Sequence, residues 1–175
     1  NYLANHALSC ETIALDDVGS IDAGRWLRAV FFRDPKGALL VVVPRDYFLD
    51  IDLLRKVTGR PLDPVFAENI SAIVPNDEGT NALIVPLGAL YGVPTLLHQG
   101  VPRYGTLYFT DRDGAAVLGL AAQDLVTAQR ELTHADIAVA VTDGFVTQRR
   151  EQNAFMRKRI DALLEDVEGL PAMPL

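Results

Sequence analysis

Cysteine is nearly absent from this chain: Cys10 stands alone among 175 residues. One thiol excludes an internal disulfide and a cysteine-based zinc cluster. Histidine is scarce as well. His6, His98 and His134 lie far apart without acidic partners at ligand spacing, so no transition-metal site is expected. Long apolar runs are missing too. Val41–Val43 and Ala138–Val141 fall far short of the roughly 18 residues a membrane helix needs. Positive charge is in deficit, with a net charge of −7. Residues 1–74 hold eight Lys/Arg against ten Asp/Glu, and residues 75–142 hold three against seven. Extensive nucleic-acid binding draws most of its affinity from phosphate neutralisation, and this balance argues against it. A pocket gripping only the end of a nucleic acid remains compatible. The Gly-x-Ser-x-Gly elbow, the Walker loop and the dinucleotide fingerprint are all absent.

What remains is an ordinary globular composition, 49% apolar and 22% charged, long enough for one domain with a full core. Glu11–Leu15 reads as a short strand. Leu27–Phe32 and Ala38–Val43 read as two more, joined by the hairpin signal Asp34-Pro-Lys-Gly37. Residues 50–59 carry helix punctuation: Asp50 caps the start and Gly59 fits a left-handed stop. Asp63-Pro64 reads as the opening of another helix, with Phe66, Ile70 and Ile73 on one face. A polar loop over 75–81 follows, then strands at 82–85, 95–98 and 106–110. Asp111-Arg-Asp-Gly114 signals a second hairpin into 115–118, and 121–130 reads as a helix. Strands and helices interleave irregularly, which predicts an α+β domain with a mixed, largely antiparallel sheet and flanking helices.

From about Phe145 the pattern changes. Met156, Ile160, Leu163, Leu164 and Val167 recur at helical spacing among charges, predicting one amphipathic helix over about 145–168. Such a helix packs on its own domain, links to another, or mediates oligomerisation. The phrases at the two ends, Tyr2–Leu8 and Leu170–Leu175, read as parts of a longer chain, and a cytoplasmic setting is expected.

Pro86-Leu-Gly88 and Tyr91-Gly-Val-Pro94 sit between two apolar runs. Val43-Pro44-Arg-Asp46 leads into Leu49-Asp-Ile-Asp-Leu-Leu54, and Ala121-Ala-Gln-Asp-Leu125 starts a closing helix. In order and spacing these phrases resemble the YbaK/prolyl-tRNA-synthetase-associated editing family, the aminoacyl-tRNA deacylases, over about Tyr2–Leu125. The resemblance implies a YbaK-like domain over residues 1–130 followed by a linker over 131–175. It implies hydrolysis of the ester joining a wrong amino acid to the 3′ end of tRNA, with no cofactor. It places Arg28 at the family's lysine position, in Leu27-Arg-Ala-Val-Phe31. Arginine keeps the charge but does not give up a proton. The family's Gly-rich loop is replaced by Ala82-Leu-Ile-Val85, with Gly79 upstream and Asp77 and Glu78 beside it. Its downstream acid is replaced by His98, which could serve as a general base. Ala82, Pro86, Gly88 and Tyr91 are the implied substrate-binding positions. Read without the resemblance, Arg28 is also a surface arginine at a strand start and His98 a structural histidine.

These departures lead to two expectations. In one, the chain is a degenerate deacylase-like module that binds an amino-acid-like ligand or the aminoacylated tRNA end within a signalling protein. In the other, it is a working trans-editing deacylase. The 145–168 helix running into Leu170-Pro-Ala-Met-Pro174 resembles the entry to an HDOD signalling domain, which implies such a domain as a partner in cis.

Overall fold

In the computed structural model, which describes residues 8–66, 69–70, 73 and 83–141, Cys10–Ile13 forms strand β1. Short 3-10 turns follow at Leu15–Ser20 and Ala23–Arg25. Leu27–Asp34 (β2) and Gly37–Pro44 (β3) form the expected hairpin, in register from Leu27↔Pro44 to Asp34↔Gly37. Asp34 stabilises its two-residue turn by accepting from the Lys36 N–H at 2.8 Å. Tyr47–Leu49 is β4, and Ile51–Thr58 is helix α1. The punctuation of α1 is as the residues indicate. The Asp50 carboxylate accepts from the Leu53 N–H at 3.0 Å, and Gly59 ends the helix at φ +62°.

Asp63–Pro64 does not open a helix; it is a two-residue edge strand, β5, antiparallel to β2. Val65 donates its N–H to Phe31 O at 2.8 Å, and proline, which has no N–H, is tolerated at a sheet edge. Phe66 is 63% exposed rather than on a buried helical face, while Ile70 and Ile73 pack partly against the core. The strand expected at 82–85 does not form over its described part, Leu83–Val85. Leu83 N–H bonds Arg112 O, Val85 N–H bonds the Tyr91 hydroxyl, and Leu87 N–H turns back to Val85 O. These bonds, one of them reaching across to Arg112, take donors a ladder would need. Gly88–Tyr91 is the short helix α2, and Thr95–His98 is β6. Thr106–Thr110 (β7) and Val117–Ala121 (β8) form the second hairpin, with the later strand running to 121 instead of 115–118. Ala122–Thr127 is helix α3, Leu132–Ala135 is β9 and Ala138–Ala140 is β10.

Three sheets result. The central one has the order β5-β2-β3-β6-β9, antiparallel through β5, β2 and β3 and parallel from β3 to β6 to β9. β1, β8 and β7 form an antiparallel three-stranded sheet, and β10 pairs with β4. The class is α+β, mixed and largely antiparallel. The compact unit runs to Ala140, because β9 and β10 extend it past residue 130. Val141–Leu175 is a second unit, of which only Val141 is described, so the helix expected over 145–168 lies outside the described residues. No described helix is long and apolar enough to cross a membrane.

Both faces of the central sheet are covered. One apolar cluster holds Leu27, Phe31, Leu40, Val42, Leu87 and Leu97; the other holds Phe32, Val41, Val43, Leu54, Leu96 and Ile137. Successive strand residues point to opposite faces, so the members of each strand divide between the clusters by parity.

Candidate functional site

The Pro86–Tyr91 segment lies on the first face. Its conformation is held by Gln129, just beyond α3. Gln129 Nε2 donates to Pro86 O at 3.0 Å, and its Oε1 accepts from the Gly88 N–H at 3.0 Å. The Gly88 N–H also lies 3.1 Å from Thr95 Oγ1, whose hydroxyl donates to the same Gln129 oxygen at 2.8 Å. Gly88 is buried. A Cβ there would stand 2.2 Å from Thr95 Oγ1 and 2.6 Å from Val93 O, so only glycine fits. Tyr91 braces the same segment. Its hydroxyl accepts from the Val85 N–H at 2.9 Å, and its ring meets Phe31 edge-to-face at 5.0 Å. Ala82 lies outside the described residues.

Arg28 and His98 lie elsewhere. Arg28 is exposed and donates through Nη2 to Tyr47 O at 2.5 Å. The Tyr47 ring packs against the His98 ring at 4.5 Å between centroids. His98 is 1% exposed. Its Nδ1 accepts from the Ile137 N–H at 3.3 Å and stands 3.9 Å from Asp136 Oδ1. Burial pushes the His98 pKa below its ordinary value, against the opposing pull of Asp136, the Ala135 carbonyl and Asp46. His98 Nε2 and Asp46 Oδ1 are both buried without a hydrogen-bond partner among the described residues. Gly100 closes the cluster, since a Cβ there would meet Tyr47 Cζ at 2.8 Å and His98 Cδ2 at 3.0 Å.

Strand parity separates the two groups. On β2, Leu27, Ala29 and Phe31 face the cluster that contains Leu87 and Tyr91. Val30 and Phe32 face the other, and Arg28 is in phase with them. On β6, Thr95 and Leu97 turn toward the Pro86 segment, whereas Leu96 and His98 turn toward Tyr47 and Ile137. The structure therefore brings Pro86, Gly88 and Tyr91 together on one face of the sheet. It brings Arg28 and His98 to the other face, joined through Tyr47. The β2 residues facing the loop near the strand start are Leu27 and Ala29, both apolar. A hydrolytic site of oxyanion-hole type needs N–H donors aimed at the reacting oxygen and a charge beside them. Here the Gly88 N–H is spent on Thr95 and Gln129, and the β2 cation in phase with that face is Arg33, at the hairpin end of the strand, rather than Arg28 near its start.

Sequence reasoning missed Gln129, Thr95 and Tyr47. Thr95 carried a faint signal, a polar residue opening the apolar run Thr95–Leu97. Gln129 carried none, because its partners are 34 to 43 residues away in sequence. No group of three or more His, Cys, Asp or Glu able to hold a metal ion occurs among the described residues.

No protein-family model matches the chain, and no curated protein matches it. Solved structures do. A "putative signal transduction protein" from Marinobacter aquaeolei VT8 superposes with a TM-score of 0.64 at 23% identity over 79% of this chain. This chain spans only 29% of that protein's length. The hypothetical protein APE2540 gives a TM-score of 0.64 at 14% identity, covering 79% of this chain and 97% of its own. A "putative trans-editing enzyme for prolyl tRNA synthetase" gives 0.60 at 16% identity, covering 79% and 93%. At these identities the likeness is one of fold: the chain has the α+β, YbaK-like fold of these structures.

Proposed function

We propose that this chain is a ligand-binding, regulatory module of a cytoplasmic signal-transduction protein, built on an aminoacyl-tRNA-deacylase scaffold whose hydrolytic site has degenerated. The observation that carries this reading is the division of Arg28 and Gly88 between opposite faces of the central sheet, with the Gly88 N–H bonded to Thr95 and Gln129. The likeness to the Marinobacter protein supports the signalling context. In this reading the module takes an amino-acid-like ligand or an aminoacylated tRNA end, and an HDOD-like domain in cis receives the signal. The 145–168 helix makes that link, or an oligomer contact.

A second reading is a working trans-editing deacylase acting on mischarged tRNA. It is favoured by the likeness to the "putative trans-editing enzyme", of which this chain covers 93%. Calorimetric titration with free amino acids and a non-hydrolysable aminoacyl-adenosine analogue, run beside a deacylation assay, separates the two. The regulatory reading expects saturable binding without turnover. Turnover of any mischarged tRNA contradicts it.

A further inference from the structure

The hairpin end of β2 borders a cleft of about 460 Å³. Small-molecule sites commonly measure about 300–1,000 Å³. Arg33 and Pro35 come from the end of β2 and the turn, Asp63 and Pro64 from β5, and Val65 and Asn69 from the segment after it. Arg28 lies five residues back along β2, roughly 17 Å away at the usual rise of a strand. This cleft is therefore separate from the Arg28–His98 cluster.

Its base is rigid. Asp34 also lines the cleft, but its carboxylate is fully buried and committed. It accepts from Arg60 Nε at 2.8 Å, from Arg60 Nη2 at 2.5 Å and from the Lys36 N–H at 2.8 Å. Asp63 is committed to Arg55 at 2.7 Å. Arg33 and Asp63 sit directly opposite in the β2–β5 register, yet they form no ion pair. The exposed Arg33 guanidinium and the Asn69 side-chain amide have no partner among the described residues. The apolar part of the lining is Pro35, Pro64 and Val65. A planar guanidinium without a described partner, an amide and an apolar lining in one cleft suit a carboxylate carried on an apolar body. The neighbouring Asp63 carboxylate disfavours a dianion such as phosphate.

We propose that this cleft binds a small organic monocarboxylate, its anion held by Arg33 and Asn69 and its apolar body resting on Pro35, Pro64 and Val65. The proposal does not rest on the fate of the Pro86 segment, and a protein active in deacylation could carry the same cleft. The test is an amide-resolved NMR titration of the 175-residue chain with phenylacetate, with inorganic phosphate in a parallel arm. Saturable shifts are expected at Arg33, Val65 and Asn69 with phenylacetate, and no saturation with phosphate. Arg33→Gln, at an exposed side chain, is expected to leave the melting temperature unchanged and to weaken phenylacetate binding about tenfold. Asn69→Ala is expected to weaken it severalfold. Absence of saturable shifts at these residues overturns the proposal. So does phosphate binding as tight as phenylacetate, or an Arg33→Gln variant that binds phenylacetate as well as the parent.

Discussion

Gly88 donates its backbone N–H to Gln129 Oε1 at 3.0 Å, and Gln129 returns its own Nε2–H to Pro86 O at 3.0 Å. One side-chain amide thus satisfies both a donor and an acceptor of the segment that resembles a substrate loop. Gln129→Ala strands these partly buried groups and is expected to cost about 1–3 kcal/mol in urea unfolding. The same variant should speed hydrogen exchange at the Gly88 amide, which is expected to be well protected in the parent. Unaltered exchange would show that Gln129 does not hold that N–H.

Gly88→Ala tests the close approach directly. The added Cβ meets a hydroxyl at 2.2 Å and a backbone carbonyl at 2.6 Å, and the carbonyl gives way only if the backbone moves. A loss of about 1–3 kcal/mol is expected by the same unfolding measurement.

Asp34 and Arg60 give the fold an acid-sensitive tie. The Arg60 guanidinium, aided by the Lys36 and Gly37 N–H groups, holds the Asp34 pKa down at about 2 from its ordinary 3.8. A carboxylate with a depressed folded-state pKa binds more protons when unfolded. Its stabilisation is present above about pH 4 and is lost as the pH falls toward 2. Urea midpoints measured over this range should fall less steeply in Asp34→Asn than in the parent.

His98 acts in a higher window. Its folded-state pKa is depressed by burial, so below the unfolded value near 6.5 the unfolded chain takes up the proton first. Stability is expected to be flat above neutrality with respect to this group and to decline as the pH drops from about 6.5. The difference in urea midpoint between the parent and His98→Gln, followed from pH 8 to pH 5, should carry this slope. A difference independent of pH would contradict it.

Local signals made much of the fold legible. The β2–β3 hairpin announces itself through Asp34-Pro-Lys-Gly37, and α1 through Asp50 and Gly59. β5 was not legible, because proline after aspartate is also how a helix begins. The deciding bond, Val65 N–H to Phe31 O, links residues far apart in sequence. β9 was hidden for a similar reason, since Leu132–Ala135 becomes a strand through parallel pairing with β6. The site was the least legible part. In Leu27-Arg-Ala-Val-Phe-Phe32 apolar residues occupy both parities, because both faces of the sheet are covered. With no polar-apolar alternation, nothing local reveals which face Arg28 takes, and a shift of one residue reverses it.

The separation of Arg28 from the Gly88 segment is tested most directly by deacylation of a panel of mischarged tRNAs, comparing the parent protein with Arg28→Ala. The account predicts that both release amino acid no faster than a protein-free control. Turnover by the parent that disappears in Arg28→Ala would contradict it, because Arg28 would then act at the scissile ester from the face the structure assigns it away from.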